Sequence, residues 1–142
     1  MTWLPISDLL SRGRPSTHPV AIQDAEPIQF ARLQADVAAA TTLLAGHQQA
    51  ALACDDTYLF TVGLLALLHT GAHILLPPNT QPGTLADLDI PVVTDALIAT
   101  APRASRPFTP LDPEAATITF HTSGSTGAPK HVVKTLGTLQ RE

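Results

Sequence analysis

The sequence predicts an α/β fold: a three-layer, mostly parallel sheet flanked by helices, within one domain spanning residues 1–142. Three observations predict it. Short apolar runs are separated by stretches of helical period. The apolar runs are unbroken, as in strands covered on both faces, where a half-solvated strand would alternate. A loop rich in glycine and hydroxyl side chains follows the last strong apolar run, and loops leaving the carboxyl ends of parallel strands are where open α/β sheets bind ligands.

The elements follow in order. Trp3, Leu4 and Ile6 are expected to anchor an N-terminal turn on the body. In "QFARLQADVAAATTLLAG", Phe30, Leu33, Val37, Ala40 and Leu44 recur at helical spacing and Gly46 is a stop signal, which predicts an amphipathic helix packed on the sheet. "AALAC" at 50–54 is a short apolar strand, Asp55 and Asp56 offer N-caps, 57–70 reads as a helix, Gly71 ends it, and "AHILLPP" is the next strand. That is a βαβ unit. "TQPGTLADLD" supplies a turn and one helical turn, "IPVVTDA" a third strand and "ATITFHT" a fourth. "IATAPRASRPFTPLDPEAA" between the last two is proline-rich and aperiodic, a surface connection. After the loop come one more strand, "HVVKT", and a short helix in "LGTLQRE". The sheet is therefore expected to leave a face or edge uncovered, as the N-terminal part of a larger domain would.

Residues 57–76 carry no formal charge over the nominal length of a bilayer crossing. Gly63, His69, Gly71 and His73 interrupt the run and Pro77–Pro78 close it, so strand-helix-strand is the better reading and no membrane span is expected. The N-terminus has no signal-peptide pattern. A net charge of -4 with no basic stripe gives a nucleic-acid partner no electrostatic support. Cys54 is the only cysteine, which excludes a disulfide framework and a cysteine-based zinc site and fits the cytoplasm.

The loop lies in "TFHTSGSTGAPKHVVK", residues 119–134. Gly124 and Gly127 let backbone approach a ligand or adopt positive φ, while Thr122, Ser123, Ser125 and Thr126 add hydroxyl donors around the same centre. Lys130 brings a compact positive charge. Backbone N–H groups, hydroxyls and a lysine together suit an oligophosphate, whose many oxygens accept hydrogen bonds. The spacing is not that of the Walker loop, which requires a lysine directly after its second glycine. A Ser/Gly linker has the same composition and stays open as an alternative.

"HTSGSTGAPKHVVKT" resembles the phosphate-binding signature of the adenylate-forming superfamily, T-S-G-[ST]-T-G-x-P-K-G, matching nine of its ten positions. That superfamily includes acyl-CoA synthetases, aryl-acid ligases, peptide-synthetase adenylation domains and luciferases. "AALACDDTYLFTVGLLALLHTGAHILLPPNTQPGTLADL" is similar to the first βαβ unit of its large N-terminal domain, so the resemblance covers about residues 25–142. His131 replaces the usual glycine after the lysine, and Thr119 stands where an apolar residue is common, which suggests a divergent branch. The continuation "PKHVVKTLGTLQRE" is similar to ligases of bacterial aryl-polyene (xanthomonadin-like) pigment pathways.

The resemblance implies an AMP-forming acid–thiol ligase. A carboxylic acid, acyl or aryl, would attack the α-phosphate of Mg2+-ATP to give an acyl-adenylate and pyrophosphate. Coenzyme A, or the phosphopantetheine of an acyl carrier protein, would then accept the acyl group. Thr122, Ser123, Gly124, Ser125, Thr126, Gly127 and Lys130 would hold the β and γ phosphates, and Lys130 would stabilise charge as pyrophosphate leaves. The family's later motifs for Mg2+, adenine, ribose and the catalytic lysine of the mobile domain are not in this sequence, so the fragment alone is expected not to turn over. The alternative is a phosphate-binding or self-associating module without chemistry.

Other residues have plainer readings. His69 and His73 straddle Gly71, so a helical metal pair is not expected and no metal ligands are assigned. His121 and His131 flank the loop as strand residues that could reach phosphate. Cys54 reads as an inert buried thiol. Lys130 and Lys134 are the only lysines, and Lys134 is either a second charge for the loop or a solvated strand residue.

Overall fold

The computed structural model describes residues 3–121 and 130–142, with the backbone alone at residue 122. A 3-10 turn, Ile6–Asp8, leads into the short helix α1 (Leu9–Arg12). Of the three expected anchors, Trp3 is 87% exposed and Ile6 43%, and Leu4 alone is half-buried. Leu10 enters the core instead, and the Ser7 N–H donates to Gln140 Oε1 at 2.8 Å. Two strands follow that no sequence signal announces, β1 (Pro19–Gln23) and β2 (Glu26–Gln29), paired antiparallel. Their connection, Asp24–Ala25, has φ of 52° and 68°. Tight hairpin turns of this hand need positive φ at both central residues, and without a glycine the sequence does not advertise one.

Helix α2 (Phe30–Leu43) carries the predicted apolar face: Phe30, Leu33, Val37, Ala40 and the following Leu44 are all buried. The next unit matches its expected limits closely. Strand β3 (Gln49–Ala53) precedes α3 (Thr57–Thr70), whose N-cap Asp56 accepts the Leu59 N–H at 2.8 Å. Gly71, at φ 76°, ends the helix, and β4 (His73–Leu76) pairs parallel with β3. At 14 residues α3 is roughly 21 Å long, well short of a bilayer core. Among the described residues no helix is long and apolar enough to cross a membrane.

The one-turn helix α4 (Pro82–Ala86) is as expected. Strand β5 is shorter than predicted, Val92–Thr94, because the Thr94 hydroxyl accepts the Leu97 N–H and starts a helix, α5 (Asp95–Ala99), inside the segment read as strand. The proline-rich connection that follows has little regular structure but is not loose. Phe108 and Leu111 pack against the core, and the Leu111 N–H donates to Ser7 O at 2.8 Å. Strand β6 (Thr117–Thr122), strand β7 (Lys130–Thr135) and helix α6 (Leu136–Arg141), capped by Thr135, complete the order.

The main sheet has the order β5-β3-β4-β6-β7. Its first four strands are parallel, and β7 joins antiparallel to β6. The expected mostly parallel sheet flanked by helices is therefore present. Side chains alternate across a strand, so the register puts Ala50, Leu52, Ile74, Val93 and Ile118 on one face. These five are buried with Val37, Val62, Leu65 and Ile98 of the helices in the core. Alternate positions, including His73, Thr119, His131 and Val133, share the opposite face, and there Val133 is 60% exposed. A partly uncovered sheet face is what the sequence led one to expect.

Candidate functional site

The parallel pairing of β6 with β4 and of β4 with β3 brings the carboxyl ends of these strands to one edge of the sheet. The candidate phosphate loop starts from that edge. Its described boundary is the last pair of the β6–β7 hairpin, Thr122 opposite Lys130, with His121 opposite His131 one step in. Lys130 is exposed and opens β7, so it belongs to a strand and not to a loop end. Ser123, Gly124, Ser125, Thr126 and Gly127 lie outside the described residues, as does the Thr122 side chain.

The histidines are paired across the hairpin. Their ring centroids are 4.3 Å apart and tilted by 59°. His121 Nδ1 is 2.9 Å from Leu76 O, and a carbonyl only accepts, so Nδ1 carries the proton. This bond ties the start of the loop to the end of β4. The pairing is invisible in sequence because it depends on register. Lys134 is held by both carboxylate oxygens of Glu142, at 2.5 and 2.6 Å, which favours the structural reading of that lysine.

The same edge of the sheet carries a polar network. The Asp55 and Asp56 N–H groups donate to Asp95 Oδ2 at 3.2 and 3.3 Å, and the Thr80 hydroxyl donates to Asp55 Oδ1 at 2.7 Å. Cys54 sits beneath it, 3.9 Å from Val93 O. Burial, with the neighbouring Asp95 carboxylate, pushes the thiol pKa up to about 12, so at neutral pH it is protonated and a poor nucleophile. His69 and His73 have separate partners. The His69 ring packs on Phe108 at 4.9 Å, and burial lowers its pKa, whereas His73 Nδ1 is 2.6 Å from the Thr117 hydroxyl. No cluster of three potential metal ligands occurs among the described residues.

No family model matches the sequence, and no curated protein matches it significantly. Solved structures do match its fold. The N-terminal subdomain of NpsA from Klebsiella oxytoca superposes with a TM-score of 0.70 at 21% identity, over 96% of this chain and 42% of that one. The fold is that of the NpsA N-terminal subdomain. Two further solved structures share it. The McyG A-PCP structure with phenylalanyl-adenylate gives a TM-score of 0.66 at 20% identity, over 96% of this chain and 33% of that one. The o-succinylbenzoate CoA synthetase MenE of Bacillus subtilis gives 0.66 at 17%, over 93% and 33%. The chain thus spans less than half the length of each of these proteins.

Proposed function

We propose that the chain supplies the oligophosphate-binding part of an AMP-forming ligase that activates a carboxylic acid with ATP. The observation that supports this most is the position of the Thr122–Lys130 pair: it closes a hairpin at the carboxyl edge of a parallel sheet, around the signature-bearing residues. Loop N–H groups and the hydroxyls of Thr122, Ser123, Ser125 and Thr126 would bind the β and γ phosphates, Gly124 and Gly127 would let the backbone approach them, and Lys130 would offset the charge that grows on pyrophosphate.

In the first step a carboxylate oxygen attacks the α-phosphorus, the bond to the bridging oxygen breaks, and pyrophosphate carries away the electron pair. Mg2+ would neutralise charge on the phosphates, and no described residue is assigned to hold it. A thiol, of coenzyme A or of an acyl carrier protein's phosphopantetheine, would take the acyl group and release AMP. A carrier protein partner is supported by the fold likeness to NpsA, which has been solved as an artificial fusion with a PCP domain. Assignment to pigment biosynthesis rests on the "PKHVVKTLGTLQRE" continuation alone.

The test is calorimetric titration of the 142-residue chain with Mg2+-ATP and with pyrophosphate. Saturable binding that weakens at least about tenfold in Lys130→Ala is expected, the worth of one charge-assisted hydrogen bond. Equal affinity in the variant, or no saturation, overturns the reading. With ATP and a panel of carboxylates the chain alone is expected to release no pyrophosphate above the variant's background. One observation favours a second reading, self-association: β7 is an edge strand and its Val133 is exposed. A mass that rises with concentration in the native chain and not in Val133→Lys identifies that behaviour.

A further inference from the structure

We propose a second small-molecule site, separate from the phosphate hairpin: a cavity between α2, α3 and the segment after α5 that takes a monoanionic carboxylate with an apolar body. The cavity holds about 330 Å3, at the small end of the range of ligand pockets. Its lining includes the polar Arg32, Asp36, Tyr58 and Arg103 and the apolar Leu59 and Ile98.

The charges decide the ligand class. Asp36 accepts the Tyr58 hydroxyl at 2.6 Å and meets Arg32 Nε at 3.5 Å, so one arginine already has its counter-charge. Arg32 also lies 5.9 Å over the Tyr58 ring, which orders this wall. Arg103 forms no ion pair among the described residues, and two arginines against one aspartate leave the lining one positive charge in excess. A monoanion cancels that excess. A phosphate dianion would overshoot it beside the Asp36 carboxylate, and a neutral molecule would offer the planar fork of Arg103 no carboxylate in exchange for water. The Leu59 and Ile98 side chains line the same cavity with hydrocarbon, which an inorganic anion could not use. The proposal rests on none of the hairpin residues and stands or falls apart from the ligase reading.

The test uses the 15N-labelled chain and phenylacetate, followed by amide and arginine Nε resonances. Saturable shifts are expected at Tyr58, Ala99, Ala101 and Arg103. Neutral phenylacetamide, inorganic phosphate and the Arg103→Gln variant should each bind at least about tenfold more weakly, the loss of one charged hydrogen bond. Arg103 is exposed on an irregular segment, so its replacement leaves the fold intact, checked by an unchanged melting curve. Lys130→Ala should leave phenylacetate binding as it is. No saturation up to about 20 mM, where even a weakly held fragment would register, equal binding of phosphate or phenylacetamide, or shifts confined to the His121–His131 hairpin would each overturn the site.

Discussion

Leu52 on β3 occupies the space that a side chain at Gly63 on α3 would need: a Cβ there would lie 2.7 Å from Leu52 Cδ1 and 2.8 Å from Ile98 Cδ1. Helix and sheet touch through the missing side chain. Gly63→Ala should therefore destabilise the fold even though alanine gains about 1 kcal/mol in helix propensity, because overpacking a buried contact costs about 1–3 kcal/mol. A lowered urea midpoint is the expected result; a raised one would show that Leu52 and Ile98 can turn aside freely.

The Asp24–Ala25 turn points the other way. Ala25 sits at φ 68°, where a Cβ is penalised and glycine is not. Ala25→Gly creates the Asp-Gly pair that such hairpins favour and should stabilise by about 1 kcal/mol, net of the entropy glycine adds to the unfolded chain. Thermal unfolding would register it as a rise of several degrees.

Cys54 gives a pH signature. Burial first, then Asp95, raises its pKa from the ordinary 9.0 to about 12. At pH 8 its alkylation should be about two to three orders of magnitude slower than that of a free cysteine, with the rate still climbing towards pH 12. The sign for stability follows. The raised pKa leaves stability intact below pH 9, and above it the unfolded thiol ionises first, so stability falls as pH rises towards 12. Cys54→Ala should flatten that part of the profile.

Lys134 separates charge from position. It pairs with Ile118, four strand positions from the Thr122–Lys130 pair, or roughly 13 Å, and its charge is taken up by Glu142. Lys134→Ala should change Mg2+-ATP binding less than about twofold where Lys130→Ala changes it at least tenfold. Equal losses would mean that the two lysines act as a diffuse charge and not as placed ligands.

The sequence by itself determined the elements whose signals act over a few residues. Asp56 and Gly71 bound α3 because a cap and a left-handed stop work on the adjacent turn, and the Phe30 to Leu44 series faces inward because its period is that of the helix. The loop motif is legible for the same reason, although residues 123–129 lie outside the described structure. Only the tertiary structure decided the strand order β5-β3-β4-β6-β7, the antiparallel run of β7, the His121–His131 pair and the cavity that Arg32 and Arg103 both line. It also made Leu10 the buried contact of the N-terminal segment while leaving Trp3 exposed, and let Asp24 and Ala25 turn without a glycine. These depend on contacts between residues far apart in the chain, where packing outweighs local preference, and no short stretch of sequence carries that information.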